Sequence, residues 1–209
     1  MAISGLLDEP NDAHACYVFA HGAGAGMNHA FMAAIASGLT GRGVATLRFQ
    51  FPYMEQGSKL PDIPKVAQAA IRAAVAEAAR RLPGLALFAG GKSFGGRMTS
   101  QAQAADPLPG VRGLVFVGFP LHPAGKPSIE RAEHLHAVQV PMLFLQGTRD
   151  ALAELALIRQ TTGALGQRAT LHAVEGADHA FHVLARSGRS DEQVRRELLD
   201  VMAEWMKQP

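Results

Sequence analysis

Leu85-Ala86-Leu87-Phe88-Ala89 runs straight into Gly91-Lys92-Ser93-Phe94-Gly95, and the pair reads as a buried strand that turns sharply into a helix with Ser93 at the apex. A serine held at such an apex sits on strained backbone, so the residues two positions either side must lack a Cβ if strand and helix are to approach. Gly91 and Gly95 meet that demand, and Gly96 adds a further point of close approach. This is the build of a nucleophile elbow. The pentapeptide is weak evidence by itself, because glycine-rich strand-to-helix turns also serve phosphate loops and plain packing.

The partners that follow in the chain strengthen the reading. Pro141-Met142-Leu143-Phe144-Leu145 reads as another buried strand, and Gln146-Gly147-Thr148-Arg149-Asp150 puts a carboxylate just past its end. Ala169 to Val174 alternates as a strand does, and Glu175-Gly176-Ala177-Asp178-His179 delivers an imidazole in the loop after it. The chain order is Ser, Asp, His, each beyond the carboxyl end of its own strand. In an open parallel sheet those ends face one crevice, where residues distant in sequence converge.

Further strands are predicted at Cys16 to Ala20, Val44 to Phe49, Leu85 to Ala89 and Val111 to Val117. Helical spacing occupies Ala30 to Leu39, Pro64 to Arg81, Gly96 to Ala105, Ala151 to Leu165 and Asp191 to Lys207. Continuous apolar strands separated by helices predict a three-layer α/β/α sandwich around a mostly parallel sheet of about six strands. The 209 residues are expected to form a single domain, 1–209, since no linker-like shift in composition appears. Two longer connections stand out, Phe51 to Pro64 and Phe119 to Ser128, the second leading into a short helical stretch that ends near Val138.

With 48% hydrophobic and 18% charged residues the chain is globular in composition, and its net charge of +2 is small. Its cations are interleaved with acids, as between Arg186 and Glu197, so no nucleic-acid-binding stripe is expected. One cysteine, Cys16, excludes an internal disulfide and sits in an apolar strand. Neither a secretory leader nor an apolar run long enough to span a bilayer is read, so no membrane partner and a cytoplasmic location are expected.

Taken together, these segments resemble the α/β-hydrolase superfamily over nearly the whole chain. His21-Gly22-Ala23-Gly24-Ala25-Gly26, after the strand Cys16 to Ala20, is similar to the family's oxyanion loop. The stretches Gly91 to Arg97 and Gly176 to Phe181 are similar to its nucleophile and histidine loops. Within the superfamily the chain most resembles the small, capless dienelactone-hydrolase-like group, in a branch that includes a chromatin-complex subunit and a testis-expressed protein. It departs from the dienelactone hydrolases in carrying Ser93 for their cysteine nucleophile, and Lys92 for the usual histidine or acid before it. The resemblance implies a minimal fold without a cap domain, because the connection after Phe119 stands where relatives insert a lid and is too short for one.

A serine hydroxyl is a poor nucleophile at neutral pH unless a base lies within hydrogen-bond reach and a third group orients that base. Ser93, His179 and Asp150 are assigned to those roles, for cleavage of a small-molecule ester-type substrate. His182 is the rival base, while Asp178, adjacent to His179, is expected to cap the loop. The amides of Ala23 and Phe94 are the candidate oxyanion donors. Gly22, Gly24 and Gly26 are expected to let their loop curl close to substrate, and His21 to brace it.

Lys92 and Arg97 carry two readings each, attraction of an anionic substrate or pairing with acids on neighbouring helices. Tyr53 and His122, in the two long connections, are candidate substrate contacts at the entrance, as are His21, Gly22, Gly24 and Lys92. Nucleotide binding is disfavoured: a phosphate loop ending in Gly91-Lys92-Ser93 would need glycine where Ala86 stands, and a dinucleotide fingerprint would need it at Met27. No cysteine or histidine spacing suggests zinc, so neither a metal nor a cofactor is expected. The competing class is a non-catalytic interaction module on a hydrolase scaffold, since fold alone does not confer activity.

Overall fold

The computed structural model describes residues 3–208. Seven strands form one sheet: β1 (Gly5–Asp8), β2 (Ala15–Ala20), β3 (Val44–Phe49), β4 (Ala86–Lys92), β5 (Val111–Val117), β6 (Met142–Gly147) and β7 (Ala169–Val174). Their spatial order is β1-β3-β2-β4-β5-β6-β7, and every pairing is parallel except β1 with β3. The sequence reading had about six strands. The additional one, Gly5–Asp8, is a four-residue edge strand whose residues are half-buried or exposed, so it lacks the continuous apolar run that marks the others.

Alternate residues along the strands feed two cores, as a period of two demands. Cys16, Val18, Leu114 and Phe116 face a core covered by α3 (Pro64–Arg81), α4 (Phe94–Ala105) and α5 (Leu155–Leu165). Tyr17, Phe19, Val115 and Val117 face the other, covered by α1 (Ala30–Thr40) and α6 (Asp191–Trp205). Each large side chain taken fully out of water here contributes about 1.5–3 kcal/mol. Local signals start the helices. Pro64 occupies the first turn of α3, and Ser190 with Gln193 makes a reciprocal capping box at α6.

A one-turn helix, α2 (Pro52–Glu55), lies in the first long connection. The second leads into a 3₁₀ segment, Glu130–Ala137, and no cap domain is inserted. Helix α4 starts at Phe94 rather than Gly96, and β4 runs on to Lys92, so Ser93 is the single residue between strand and helix. Among the described residues no helix is long and apolar enough to cross a membrane.

Candidate active site

The turn at Ser93 is as tight as the glycines around it imply. Its backbone has φ +50° and ψ −115°, one of two non-glycine residues with positive φ among those described. A Cβ on Gly91 would lie 2.4 Å from the carbonyl oxygen of Ala20, and one on Gly95 would lie 2.5 Å from that same oxygen. The elbow is thus pressed against the end of β2. Strain at a non-glycine residue persists where surrounding packing over-determines it, and such sites cluster at functional positions.

His179 meets this serine from the loop after β7. Its Nε2 is 2.9 Å from Ser93 Oγ, and its Nδ1 is 2.7 Å from Asp150 Oδ2. Because a carboxylate only accepts, Nδ1 carries the proton and the Nε2 lone pair faces the serine hydroxyl. Asp150 is buried, and its two oxygens are fully engaged: Oδ1 accepts from the Leu152 amide at 2.8 Å, and Oδ2 also accepts from Gln146 Nε2 at 2.5 Å. Asp178 turns away from the ring and caps its own loop, with Oδ1 accepting from the amides of Ala180 at 2.8 Å and His182 at 3.0 Å. His182 is exposed and paired with Asp191 at 2.8 Å, not with Ser93.

The loop after β2 closes the other side. A Cβ on Gly22 would come within 3.8 Å of the Ser93 Cβ, so loop and serine are neighbours. His21 is fully buried; its Nε2 accepts from the Phe51 amide at 3.1 Å, which leaves Nδ1–H to donate to the Gly22 carbonyl at 2.8 Å. That carbonyl belongs to the same peptide plane as the Ala23 N–H, so the imidazole sets the direction of that donor. Burial lowers the His21 pKa and keeps it in this neutral form. Tyr53 Oη accepts from the Gly24 amide at 3.0 Å and fixes the next peptide. Among the described residues neither the Ala23 nor the Phe94 amide donates to a protein acceptor, and Phe94 opens a helix, where N–H groups lack intrahelical partners.

Four expected substrate contacts do not line the cavity at Ser93: Gly24, which is exposed, and His21, Tyr53 and His122. His21 and Tyr53 are buried behind the loop after β2 and bond to its backbone. His122 is also buried, its Nδ1 donating to the Pro123 carbonyl at 2.9 Å and its Nε2 accepting from the Glu154 amide at 3.1 Å. Gly22, Ala23, Lys92, Ser93 and His179 do share one cavity of about 360 Å³, completed by apolar groups such as Phe31, Met32 and Leu152. A cavity of similar size between β1 and α3 is lined by groups such as Leu47, Phe49, Glu77 and Arg81, well away from Ser93.

Among the described residues Lys92 pairs with no acid, contrary to one of its readings; its ammonium donates to the His179 carbonyl at 2.5 Å. Arg97 likewise makes no ion pair among the described residues, and its Nε is buried without a partner. A second serine–histidine contact joins Ser100 Oγ to His134 Nε2 at 2.7 Å, but Ser100 is fully buried and also donates to the Arg97 carbonyl at 2.8 Å. Burial, and then Arg97, push the His134 pKa down to about 4, so the ring is a neutral internal brace.

Gln146 escaped the sequence reading. It is fully buried at the end of β6, with Oε1 accepting from the Phe119 amide at 2.9 Å while Nε2 reaches Asp150. A polar side chain closing the apolar run Met142 to Leu145, four residues before the acid, was the available signal.

Among the described residues no group of three or more histidine, cysteine, aspartate or glutamate side chains could hold a metal ion. The Alpha/beta hydrolase domain family matches residues 13–207. The fold is also similar to that of several solved proteins. Dienelactone hydrolase from Anabaena variabilis superposes with a TM-score of 0.78 at 20% identity, over 98% of this chain and 91% of that one. A lidless α/β serine hydrolase from Xanthomonas campestris gives 0.74 at 22% identity, over 97% and 89%. An alpha-beta serine hydrolase homologue from Coxiella burnetii gives 0.75 at 20% identity, over 94% and 89%. A family match across almost the whole chain, on a seven-stranded sheet without a cap among the described residues, places this protein in the α/β-hydrolase family.

Proposed function

We propose that the protein is a serine hydrolase that cleaves a carboxylester, lactone or thioester through an acyl-enzyme on Ser93. The observation that carries this reading is the unbroken hydrogen-bond chain from Ser93 Oγ through His179 to the buried Asp150. Its outer links, 2.9 and 2.7 Å, are within the reach that general-base catalysis requires.

In the proposed cycle Ser93 Oγ attacks the carbonyl carbon while His179 Nε2 takes its proton. The resulting oxyanion receives the amides of Ala23 and Phe94, each such donor contributing about 3 kcal/mol in comparable sites. Asp150 holds the imidazolium upright and offsets its charge. Nε2 then gives the proton to the departing oxygen or sulfur, and the alcohol or thiol leaves. Water attacks the acyl-serine with His179 again as base, which releases the carboxylic acid and returns the proton to Ser93.

A cavity of about 360 Å³ with aliphatic and aromatic walls favours a small apolar acyl or alcohol group. Short and long acyl esters, lactones and thioesters assayed against wild type and Ser93→Ala test the reading. Turnover of short-chain substrates by wild type alone is expected. Equal turnover by both proteins would refute it.

A further inference from the structure

We propose that Lys92 is a positioning residue, an ammonium clamp that fixes the histidine loop to the nucleophile strand so that His179 Nε2 stays on Ser93. This inference rests on the catalytic reading of Ser93 and His179. Two segments separated by more than eighty residues are joined twice at this point: the side chains of Ser93 and His179 meet, and the residue just before Ser93 holds the backbone carbonyl of His179. A carbonyl fixed on the residue that carries the base leaves the ring only its two χ angles to set.

The surroundings of the ammonium are built around it. Lys92 Nζ lies 5.2 Å from the centroid of Phe181 and 5.9 Å from that of Phe31, both within cation–π range. These two rings stack on each other, 6.2 Å apart with 13° between their planes. Phe181 holds its place with φ +64°, and besides Ser93 it is the other non-glycine residue with positive φ among those described. Gly118, at φ +72°, leaves the space for the head group; a Cβ there would lie 2.9 Å from Lys92 Nζ and 3.4 Å from His179 Cε1. The positive-φ backbones of Ser93, Phe181 and Gly118 thus surround a single lysine.

Stability does not explain the lysine. No carboxylate lies within ion-pair distance of it among the described residues, and burial pulls its pKa from 10.5 to about 8 against the longer-range pull of Asp150 and Asp178. A half-buried cation without a carboxylate partner costs free energy that a methionine of similar shape would not. What a methionine lacks is the N–H donor for the His179 carbonyl.

The test compares wild type, Lys92→Met and Ser93→Ala on one uncharged and one anionic short-chain ester, with thermal denaturation and the Nδ1 proton resonance of His179 followed alongside. Misplacing a base by about 1 Å costs on the order of 100-fold, so kcat of Lys92→Met is expected to fall about 30- to 100-fold. KM is expected to stay within about threefold and Tm to equal or exceed that of wild type, while the downfield Nδ1 resonance weakens or disappears. Three results would overturn the clamp: kcat within about twofold of wild type, a loss of activity matched by a fall in Tm, or a rise in KM confined to anionic esters, which would make Lys92 a substrate contact. Should Lys92→Met not fold, Phe181→Leu replaces it, with kcat expected to fall at least about fivefold at unchanged KM and a change under about twofold counting against the clamp. Activity retained by Ser93→Ala would instead refute the catalytic reading itself.

Discussion

Gln146 Nε2 and His179 Nδ1 donate to the same oxygen of Asp150, at 2.5 and 2.7 Å. The acid is therefore held by a side chain from its own strand end before the histidine reaches it. Gln146→Leu removes this donor and also strands the Phe119 amide that Oε1 accepts. Unfolding free energy is expected to drop by about 1–3 kcal/mol, read from urea denaturation, and kcat by about tenfold.

Asp150→Asn keeps the shape of the acid but offers an amide N–H that favours the wrong imidazole tautomer. By analogy with other triads kcat should fall about 10⁴-fold with little change in KM, measured on the best ester found. A loss below about tenfold would move the orienting role to another group.

His182 and His179 are three residues apart but face different partners. His182→Gln should leave kcat within about twofold, whereas His179→Gln should abolish turnover. The same variant separates a stability effect. Asp191 raises the His182 pKa above 6.5, and the pair is exposed. A raised folded-state pKa stabilises below the unfolded value and loses that contribution as pH climbs through the folded one. The Tm difference between wild type and His182→Gln should accordingly be larger near about pH 5.5 than near about pH 8.5.

Gly95→Ala would force a Cβ to 2.5 Å from the Ala20 carbonyl, a backbone atom that cannot swing aside. Destabilisation of at least about 3 kcal/mol is expected, or failure to accumulate folded protein. Gly24→Ala is the control: its φ is positive, +69°, but a Cβ there meets nothing within 4 Å, so its cost should be about 1 kcal/mol.

Much of the fold was legible because the inner strands are largely apolar runs and the edge strand Ala169 to Val174 alternates; Val44 to Phe49, Val111 to Val117 and Ala169 to Val174 have the predicted bounds. Gly5–Asp8 was not, since an edge strand half in solvent carries no such run. At the site, Ser93, Asp150 and His179 were readable from their order after successive strands, and the structure brings them together. Tyr53 and His122 were placed at the entrance because long connections are usually surface loops. Both are buried, since their polar atoms are satisfied by backbone groups that only the fold supplies. Gln146 and the lysine clamp depend on contacts across 27 or more residues, Phe119 to Gln146 and Lys92 to His179, which no local pattern encodes.

The central claim, that Ser93 is a nucleophile activated by His179, is tested most directly by a fluorophosphonate probe followed by intact-mass and peptide analysis. One adduct on Ser93 is expected in native wild type, none in heat-unfolded protein or in Ser93→Ala, and strongly slowed labelling in His179→Gln. Native, folded protein that takes no label, or takes it on a residue other than Ser93, would contradict the account.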